Sequence, residues 1–378
     1  MQSKDGISSK QFVVLLFLVT LAIKMFMLPS LILRTVGKDG YLIIVAYTLF
    51  EFVGLGLLLA VVVRNPDKTL FDILSDATGK VVSRIIVTFI IAFALVKATI
   101  VISEIKMFFA VIMYRDINWA IFAVPLFAVL TAMSVRPLRS IGRTAELVFP
   151  VVALSTFILA ALLFGDIRPE NLLPVMPEGA GKVADGVRKF AMWFGDTTFL
   201  ALFLGRVKVS RKLVAGAFIA KLVASLIVIF FTVVLFASYA NVSTLIDYGN
   251  NVSNMTQLSL GSQDYGRFDL LFYCVWIFSV FLKLGIVFCL ITQSVSFLFS
   301  TDRKYLVSII TAAVVFVITT FFIKNEEVSY LFATGAVRYF VFPAGYLTPV
   351  IAFACGRIAY KSNRYGGVYE QNEDERQS

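Results

Sequence analysis

The chain consists of long apolar runs separated by short polar segments. A helix of about 20 apolar residues crosses the hydrocarbon core of a membrane, and the pattern predicts about ten such spans. We place them near 11–33, 41–63, 85–113, 117–135, 147–163, 190–205, 213–239, 270–299, 305–323 and 328–356. The first run shows no small-residue cleavage site, so we interpret it as a membrane helix rather than a removed signal peptide.

Composition supports this interpretation. Hydrophobic residues make up 59% of the chain, charged residues only 15%, and the mean hydropathy is +0.87. Such values exclude an ordinary soluble enzyme, a disordered chain and a collagen-like fibre. The sequence therefore predicts an all-α polytopic membrane protein, with one permease-like transmembrane domain over residues 1–364 and a polar, disordered cytoplasmic tail over 365–378.

The residue types that support most enzyme chemistry are scarce. The 378 residues include no histidine, which removes histidine bases, metal ligands and triads. The three cysteines, Cys274, Cys289 and Cys355, stand in apolar runs without CxxC spacing and are interpreted as buried packing residues. We expect neither an enzyme nor a metal site nor a cofactor.

The net charge of +10 is explained by membrane orientation. Basic residues concentrate in the N-terminus, the tail and the loops that follow even-numbered spans, as in Arg136, Arg139 and Arg143. The positive-inside rule then places both termini in the cytoplasm, and no nucleic-acid partner is needed. Three glycosylation sequons, at Asn241, Asn251 and Asn254, lie in an Asn/Ser-rich loop in which such triplets arise easily by chance.

Two spans contain helix-breaking residues. The first carries Lys24 and Pro29, and the sixth carries Gly195 and Asp196. The breaks are five spans apart, as expected for two inverted five-helix repeats over about 8–163 and 189–357. A pair of broken spans in corresponding positions indicates a binding site at the membrane midplane.

Corresponding spans share a further feature. Spans three and eight, which the repeat relates, are both long and carry an internal lysine, Lys97 and Lys283. Ionisable residues at membrane depth are costly and point to function. The predicted set is Lys24, Glu51, Lys97, Glu104, Asp196, Lys283 and Arg338, with Lys106 and Lys221 nearer to span ends.

The breaks suit a zwitterionic ligand. A half-helix N-terminus offers amides to a carboxylate, and unwound carbonyls can hold an ammonium group or a small cation. We expect Asp196 to meet an ammonium group and Lys283 or Lys97 to face the break in the first span, in the role of a cation. The candidate ligand-binding residues are Met25, Phe26, Leu28, Pro29, Lys97, Val101, Trp193, Phe194, Gly195, Asp196, Thr197 and Lys283.

A structural role for these charges is an open alternative. Lys24 and Asp196 could neutralise one another across the two breaks. Lys97 and Glu104 are seven residues apart, about 10 Å along a helix, so each needs a partner on another span, and Glu51 is available for an ion-pair lattice. Arg338 is either a gate or a residue that snorkels to the outer surface.

Short motifs along the chain resemble the B subunits of endospore germinant receptors. They are Ile7-Ser-Ser-Lys-Gln-Phe12 leading to Leu28-Pro29, Asp166 with Asn171-Leu-Leu-Pro-Val-Met-Pro-Glu-Gly179, and Trp276 with Phe281-Leu-Lys283. That family belongs to the amino acid–polyamine–organocation (APC) superfamily. The resemblance implies a LeuT-like five-plus-five fold, the spore inner membrane or cell membrane, and partners that are a receptor A subunit and a C lipoprotein.

The resemblance also implies a function and shows one departure. The implied function is sensing of a small nutrient, often an amino acid. The residues leave open a proton- or sodium-coupled amino acid permease and an ion-channel component. Where the family has a proline after the apolar half of span six, this chain has Leu204-Gly-Arg-Val207.

Overall fold

The computed structural model describes residues 6–25, 28–112, 118–164, 167–176, 179–238, 269–324, 335 and 337–377. This part of the chain contains eleven α-helices and no strand, apart from a single parallel bridge between Ile7 and Val207. The helices are α1 Ser9–Leu21, α2 Leu28–Val36, α3 Tyr41–Arg64, α4 Leu70–Ile112, α5 Trp119–Val135, α6 Leu138–Phe164, α7 Ala180–Lys189, α8 Leu213–Ser238, α9 Asp269–Leu298, α10 Lys304–Lys324 and α11 Arg338–Gln377. The all-α prediction is confirmed, while the three sequons lie outside the described residues.

Seven helical segments of the described chain are long and apolar enough to cross a membrane. They are Leu28–Arg64, Leu70–Phe109, Leu138–Phe164, Leu213–Val234, Tyr273–Leu298, Lys304–Phe322 and Arg338–Tyr360. Two shorter apolar helices, α1 and α5, accompany them. The polytopic membrane character follows from these segments.

The first span is interrupted at the predicted place. Helix α1 ends at Leu21, a 3₁₀ turn covers Ala22–Met25, and α2 begins at Leu28. Pro29 occupies the first turn of α2, where its missing N–H costs no helical hydrogen bond. Ser8 caps the start of α1 through a reciprocal capping box with Gln11.

The sixth predicted span contains no α-helix. Two 3₁₀ segments, Ala191–Trp193 and Asp196–Phe203, are separated by an extended Phe194 and by Gly195 in the left-handed region with φ 83°. A side chain costs about 1–2 kcal/mol in that region, so glycine suits the position. The break predicted at Asp196 is therefore present, just before that residue.

Helix packing brings together spans that are distant in the sequence. Helix α1 packs against α8 and α6, and the Asp196–Phe203 segment packs against α3 and α11. In the same way, α9 packs against α5 and α6, and α4 packs against α10 and α11. Helices α4 and α9 also pack against each other. The two interrupted segments thus lie next to α4, α9 and α11, the longest helices of the described chain.

Several helix ends differ from the prediction. Helix α6 begins at Leu138 rather than near 147, and α4 begins at Leu70, with a kink at Gly79, rather than near 85. An apolar run shows only the part of a helix that lies in the membrane. The helix itself can extend into neighbouring polar residues at little cost in free energy, so it begins earlier than the run. Helix α11 continues to Gln377, so the predicted polar tail is described as helical, and its disorder stays a prediction.

Candidate functional site

Asp196 lies where three spans meet at the break of span six. Its Oδ1 is 2.7 Å from Lys283 Nζ on α9 and 3.5 Å from Lys97 Nζ on α4. Its Oδ2 is 3.4 Å from Lys24 Nζ in the first interrupted span. The contact of Lys24 with Asp196 is the one considered from the sequence, and it joins the two breaks directly.

Glu51 on α3 forms the second centre of negative charge. Both of its carboxylate oxygens accept hydrogen bonds from Lys24 at 3.0 Å, and Oε2 also pairs with Lys221 of α8. Oε1 accepts from the backbone N–H of Gly195 at 3.0 Å and of Asp196 at 3.4 Å. Glu51 therefore occupies the N-terminal end of the Asp196–Phe203 segment, where backbone amides favour an anion.

These residues form one buried group, which we call the charge lattice. Its members are Lys24, Glu51, Lys97, Asp196, Lys221 and Lys283, and their exposed fractions lie between 0% and 3%. Four lysines thus share two carboxylates. Buried ion pairs are retained only with close contacts and further hydrogen bonds, and the bonds of Glu51 to backbone amides supply some of these.

Lys97 is bound chiefly by the backbone of span six. Its ammonium donates to the carbonyl of Met192 at 2.7 Å and to that of Phe194. It also lies 5.8 Å from the ring centroid of Phe93, one helical turn earlier. The sequence-based expectation placed Lys97 or Lys283 at the break of the first span, but the ammonium of Lys97 lies on the break of the sixth.

Glu104 forms no ion pair with the lattice among the described residues, although the charges of Lys283 and Lys97 act on its carboxyl group. Its Oε1 accepts a hydrogen bond from Trp193 Nε1 at 2.6 Å, and its Oε2 has no hydrogen-bond partner among the described residues. Lys97 does not pair with Glu51 as proposed, because Glu51 is taken by Lys24 and Lys221. Trp193, predicted beside the break, thus joins span six to α4.

Aromatic rings cover one side of the break. Tyr47 stacks on Phe194 with ring centroids 4.0 Å apart and planes at 7°, and its hydroxyl donates to the carbonyl of Val187. The ammonium of Lys24 lies 5.0 Å from the centroid of Phe194. These contacts hold the extended Phe194 between α3 and the first interrupted span.

The remaining candidates fall into three groups. Met25, Leu28 and Pro29 are buried at the first break, and Val101 and Thr197 are buried on α4 and span six. Phe26 lies outside the described residues. Arg338 begins α11, where its guanidinium lies 4.9 Å over the ring of Tyr339; its described contacts place it apart from the lattice.

Two members of the site, Lys221 and Tyr47, were not predicted from the sequence. Lys221 was placed near a span end, yet it is fully buried and bonds to Glu51 and to Thr20 Oγ1 at 3.2 Å. Tyr47 was not singled out at all. A signal for Lys221 was available, since it stands between apolar residues two turns into α8, but tyrosines are common in this chain and nothing local distinguishes Tyr47.

The fold and the site define a multi-pass membrane protein in which two interrupted spans meet around buried charges. Residues 6–328 match the family model Spore_permease, described as spore germination protein. The chain therefore belongs to the spore germination protein family, as the resemblance to germinant receptor B subunits implied. No curated protein matches the chain.

Proposed function

We propose that this protein is the membrane subunit of a spore germinant receptor. In this role it binds a small nutrient that carries a carboxylate, an amino acid in the simplest case, at the two breaks, and signals germination together with an A subunit and a C lipoprotein. The observation that carries the proposal is the excess of buried lysines over carboxylates in the charge lattice.

The charge balance favours an anionic group in the ligand. With all six groups ionised, the four lysines leave two positive charges without an acidic counterpart inside the lattice, and the buried Glu104 nearby balances at most one of them. Uncompensated charge at membrane depth is costly. A carboxylate that enters beside Lys283, whose ammonium has no hydrogen-bond partner among the described residues, gains strong electrostatic stabilisation. An uncharged sugar or nucleoside gains none.

Asp196 offers a contact for the ligand's ammonium group. Both of its oxygens lie within ion-pair distance of lysines, but neither accepts a hydrogen bond in good geometry from the described residues. A carboxylate has about four acceptor positions. An amino acid would thus use both signs of charge at one place, its carboxylate near the lysines and its ammonium on Asp196.

Signalling needs a second arrangement of the spans. A ligand shifts an equilibrium only if it binds one state better than the other. Lys24 and Asp196 tie the first interrupted span to the sixth, and a ligand that alters their pairing changes how these spans are held together. The partner subunits would then detect that movement.

The five-plus-five arrangement and the orientation belong to the same proposal. Two sets of helix contacts support two related repeats. The contacts of α1 with α6 and α8 correspond to those of the Asp196–Phe203 segment with α11 and α3, and the contacts of α9 with α5 and α6 correspond to those of α4 with α10 and α11. The bridge of Ile7 to Val207 brings together the N-terminus and a basic loop that the positive-inside rule assigns to the cytoplasm. The spore inner membrane is the expected location.

A thermal-shift screen of the purified protein tests the ligand class. The probes are the twenty amino acids, simple sugars and nucleosides. A ligand at a hundredfold excess over its dissociation constant adds about 2.7 kcal/mol of stability. For any amino acid that stabilises, its amide and its des-amino acid serve as matched analogues, and both should bind more weakly. Stabilisation by sugars alone would reject the amino acid proposal.

Two variants test the location of the site. Asp196→Asn removes the proposed ammonium contact, and Lys283→Met removes the lysine closest to Asp196. We expect each to weaken ligand stabilisation at least about tenfold in dissociation constant, as for a lost charged contact. Unchanged ligand stabilisation in both variants would place the ligand elsewhere.

Transport is tested separately from binding. A receptor subunit reconstituted in liposomes should bind the labelled nutrient without moving it across the bilayer, whereas a permease should accumulate it along a proton or sodium gradient. Sustained uptake by the purified protein alone would favour the permease. Ion conductance without ligand selectivity would favour a channel component.

A further inference from the structure

We propose that Lys97 is a built-in cation of the interrupted sixth span, which fills an oxygen site that would otherwise bind a free monovalent cation. The proposal concerns the ion requirement of the fold, goes beyond the proposed receptor function and does not depend on which nutrient binds. It follows from the atoms that surround a single ammonium group.

Three oxygens of one short segment converge on Lys97. The carbonyls of Met192 and Phe194 accept its hydrogen bonds, and Asp196 Oδ1 lies 3.5 Å away. An ammonium group has three N–H donors and no acceptor. Two donors of Lys97 bond to the carbonyls, and the Asp196 carboxylate completes its surroundings as an ion pair. The side chain is completely buried, with an exposed fraction of 0%.

The backbone of span six creates the need for this cation. The carbonyls of Phe190 and Ala191 accept from the backbone N–H groups of Trp193 and Phe194. The next residues leave the helical path, because Phe194 is extended and Gly195 is left-handed. Carbonyls freed by unwinding in a membrane must find a donor or a cation, and those of Met192 and Phe194 find Lys97.

The ammonium group of Lys97 is covalently attached to a neighbouring helix, α4. Lys97 projects from α4, whose long membrane-embedded part continues on both sides of the residue. A tethered ammonium is present at every ion concentration, whereas a bound sodium or potassium ion would leave when its concentration fell. The break of span six is therefore expected to keep its shape without any alkali cation.

The test uses chemical replacement of the side chain. Lys97→Ala removes three methylene groups and the ammonium group. The added compound n-propylammonium has the same three carbons and one nitrogen. We expect Lys97→Ala to melt at a lower temperature than the wild-type protein, and n-propylammonium to recover about half or more of that loss in a saturable way. Methylammonium should recover less, because it leaves the rest of the cavity empty.

Matched controls separate this effect from general solvent effects. The neutral 1-propanol and the donor-free tetramethylammonium should not stabilise Lys97→Ala. Lys10→Ala serves as the control variant, since Lys10 is 80% exposed and 3.9 Å from Glu146; n-propylammonium should leave it and the wild-type protein unchanged. A folded Lys97→Ala that responds to no amine would overturn the proposal.

The wild-type protein supplies an independent test if Lys97→Ala cannot be purified, even with n-propylammonium present throughout. Its melting temperature should be the same in sodium, potassium and choline chloride at equal ionic strength. A specific requirement for sodium or potassium would overturn the proposal, because the span would then use a free ion in addition to Lys97.

Discussion

The Glu51 carboxylate accepts a hydrogen bond from the backbone N–H of Gly195 at 3.0 Å. Span two thereby supplies an anion to the break of span six, at the place where the sequence suggested the carboxylate of a ligand. Lys97 likewise occupies the carbonyls that the sequence suggested for a ligand's ammonium. The proposed nutrient therefore joins a preformed set of protein charges and does not fill bare backbone groups.

Neutralising Glu51 should be strongly destabilising. Glu51→Gln leaves Lys24 and Lys221 without their shared carboxylate, and breaking a buried ion pair costs about 3–5 kcal/mol. Thermal unfolding in detergent measures the loss. The double variant Glu51→Gln/Lys221→Met should recover part of it, because one uncompensated charge is removed.

A half-buried carboxylate near the surface, 30% exposed, provides the control for that change. Glu146 lies 3.9 Å from the exposed Lys10 and accepts from Gln11, and such surface contacts contribute about 0–1 kcal/mol. Glu146→Gln should thus melt close to the wild-type protein. Equal effects of Glu51→Gln and Glu146→Gln would mean that the lattice does not stabilise the fold.

The effects of replacing Trp193 and Glu104 on the free energy of unfolding should be strongly non-additive, because the two side chains are hydrogen-bonded. Trp193→Phe removes the donor of the 2.6 Å bond and leaves Glu104 with both oxygens unpaired among the described residues. An unsatisfied buried group costs about 1–3 kcal/mol. Glu104→Met in the Trp193→Phe background should restore stability, and a double-mutant cycle of unfolding measurements gives the coupling. Additive losses would argue against a direct bond.

Gly205→Ala should destabilise the fold for two reasons, a strained backbone conformation and a steric clash, and a control variant separates them. Its φ is 70°, and a Cβ atom there would lie 2.5 Å from the carbonyl carbon of Lys68. Gly37 has a φ of 77° but open space around it. Gly37→Ala should lose about 1–2 kcal/mol from the backbone conformation alone, and Gly205→Ala should lose clearly more in the same unfolding assay. Similar losses would show that the loop at Lys68 moves aside.

The ring of Tyr47 should matter more than its hydroxyl. Tyr47→Phe removes only the hydrogen bond to the carbonyl of Val187 and should cost about 0.5–1.5 kcal/mol. Tyr47→Leu also removes the stacking on Phe194, which adds about 0.5–1.5 kcal/mol, together with a cavity. Comparing the melting temperatures of Tyr47→Phe and Tyr47→Leu separates the ring from the hydroxyl. Equal values would assign the whole effect to the hydroxyl.

Much of the architecture was available from the sequence. The apolar runs predicted a membrane protein of many helices, since the length of a spanning helix depends only on the local chain and the thickness of the bilayer. Helix-breaking residues are also local signals, so Pro29 and Gly195 marked the two interruptions correctly. The short motifs then indicated the family that the match over residues 6–328 shows.

The tertiary structure alone decided which charges meet. Asp196 takes Lys24, Lys97 and Lys283, and Glu51 takes Lys221 from a helix 170 residues away. Such pairings depend on how distant helices pack and rotate, which no local pattern encodes. The sequence determined where the spans break and that charges lie in them; only packing determined that the protein's own Glu51 and Lys97 fill the exposed backbone, because in a membrane those groups must be satisfied by whatever the fold brings close.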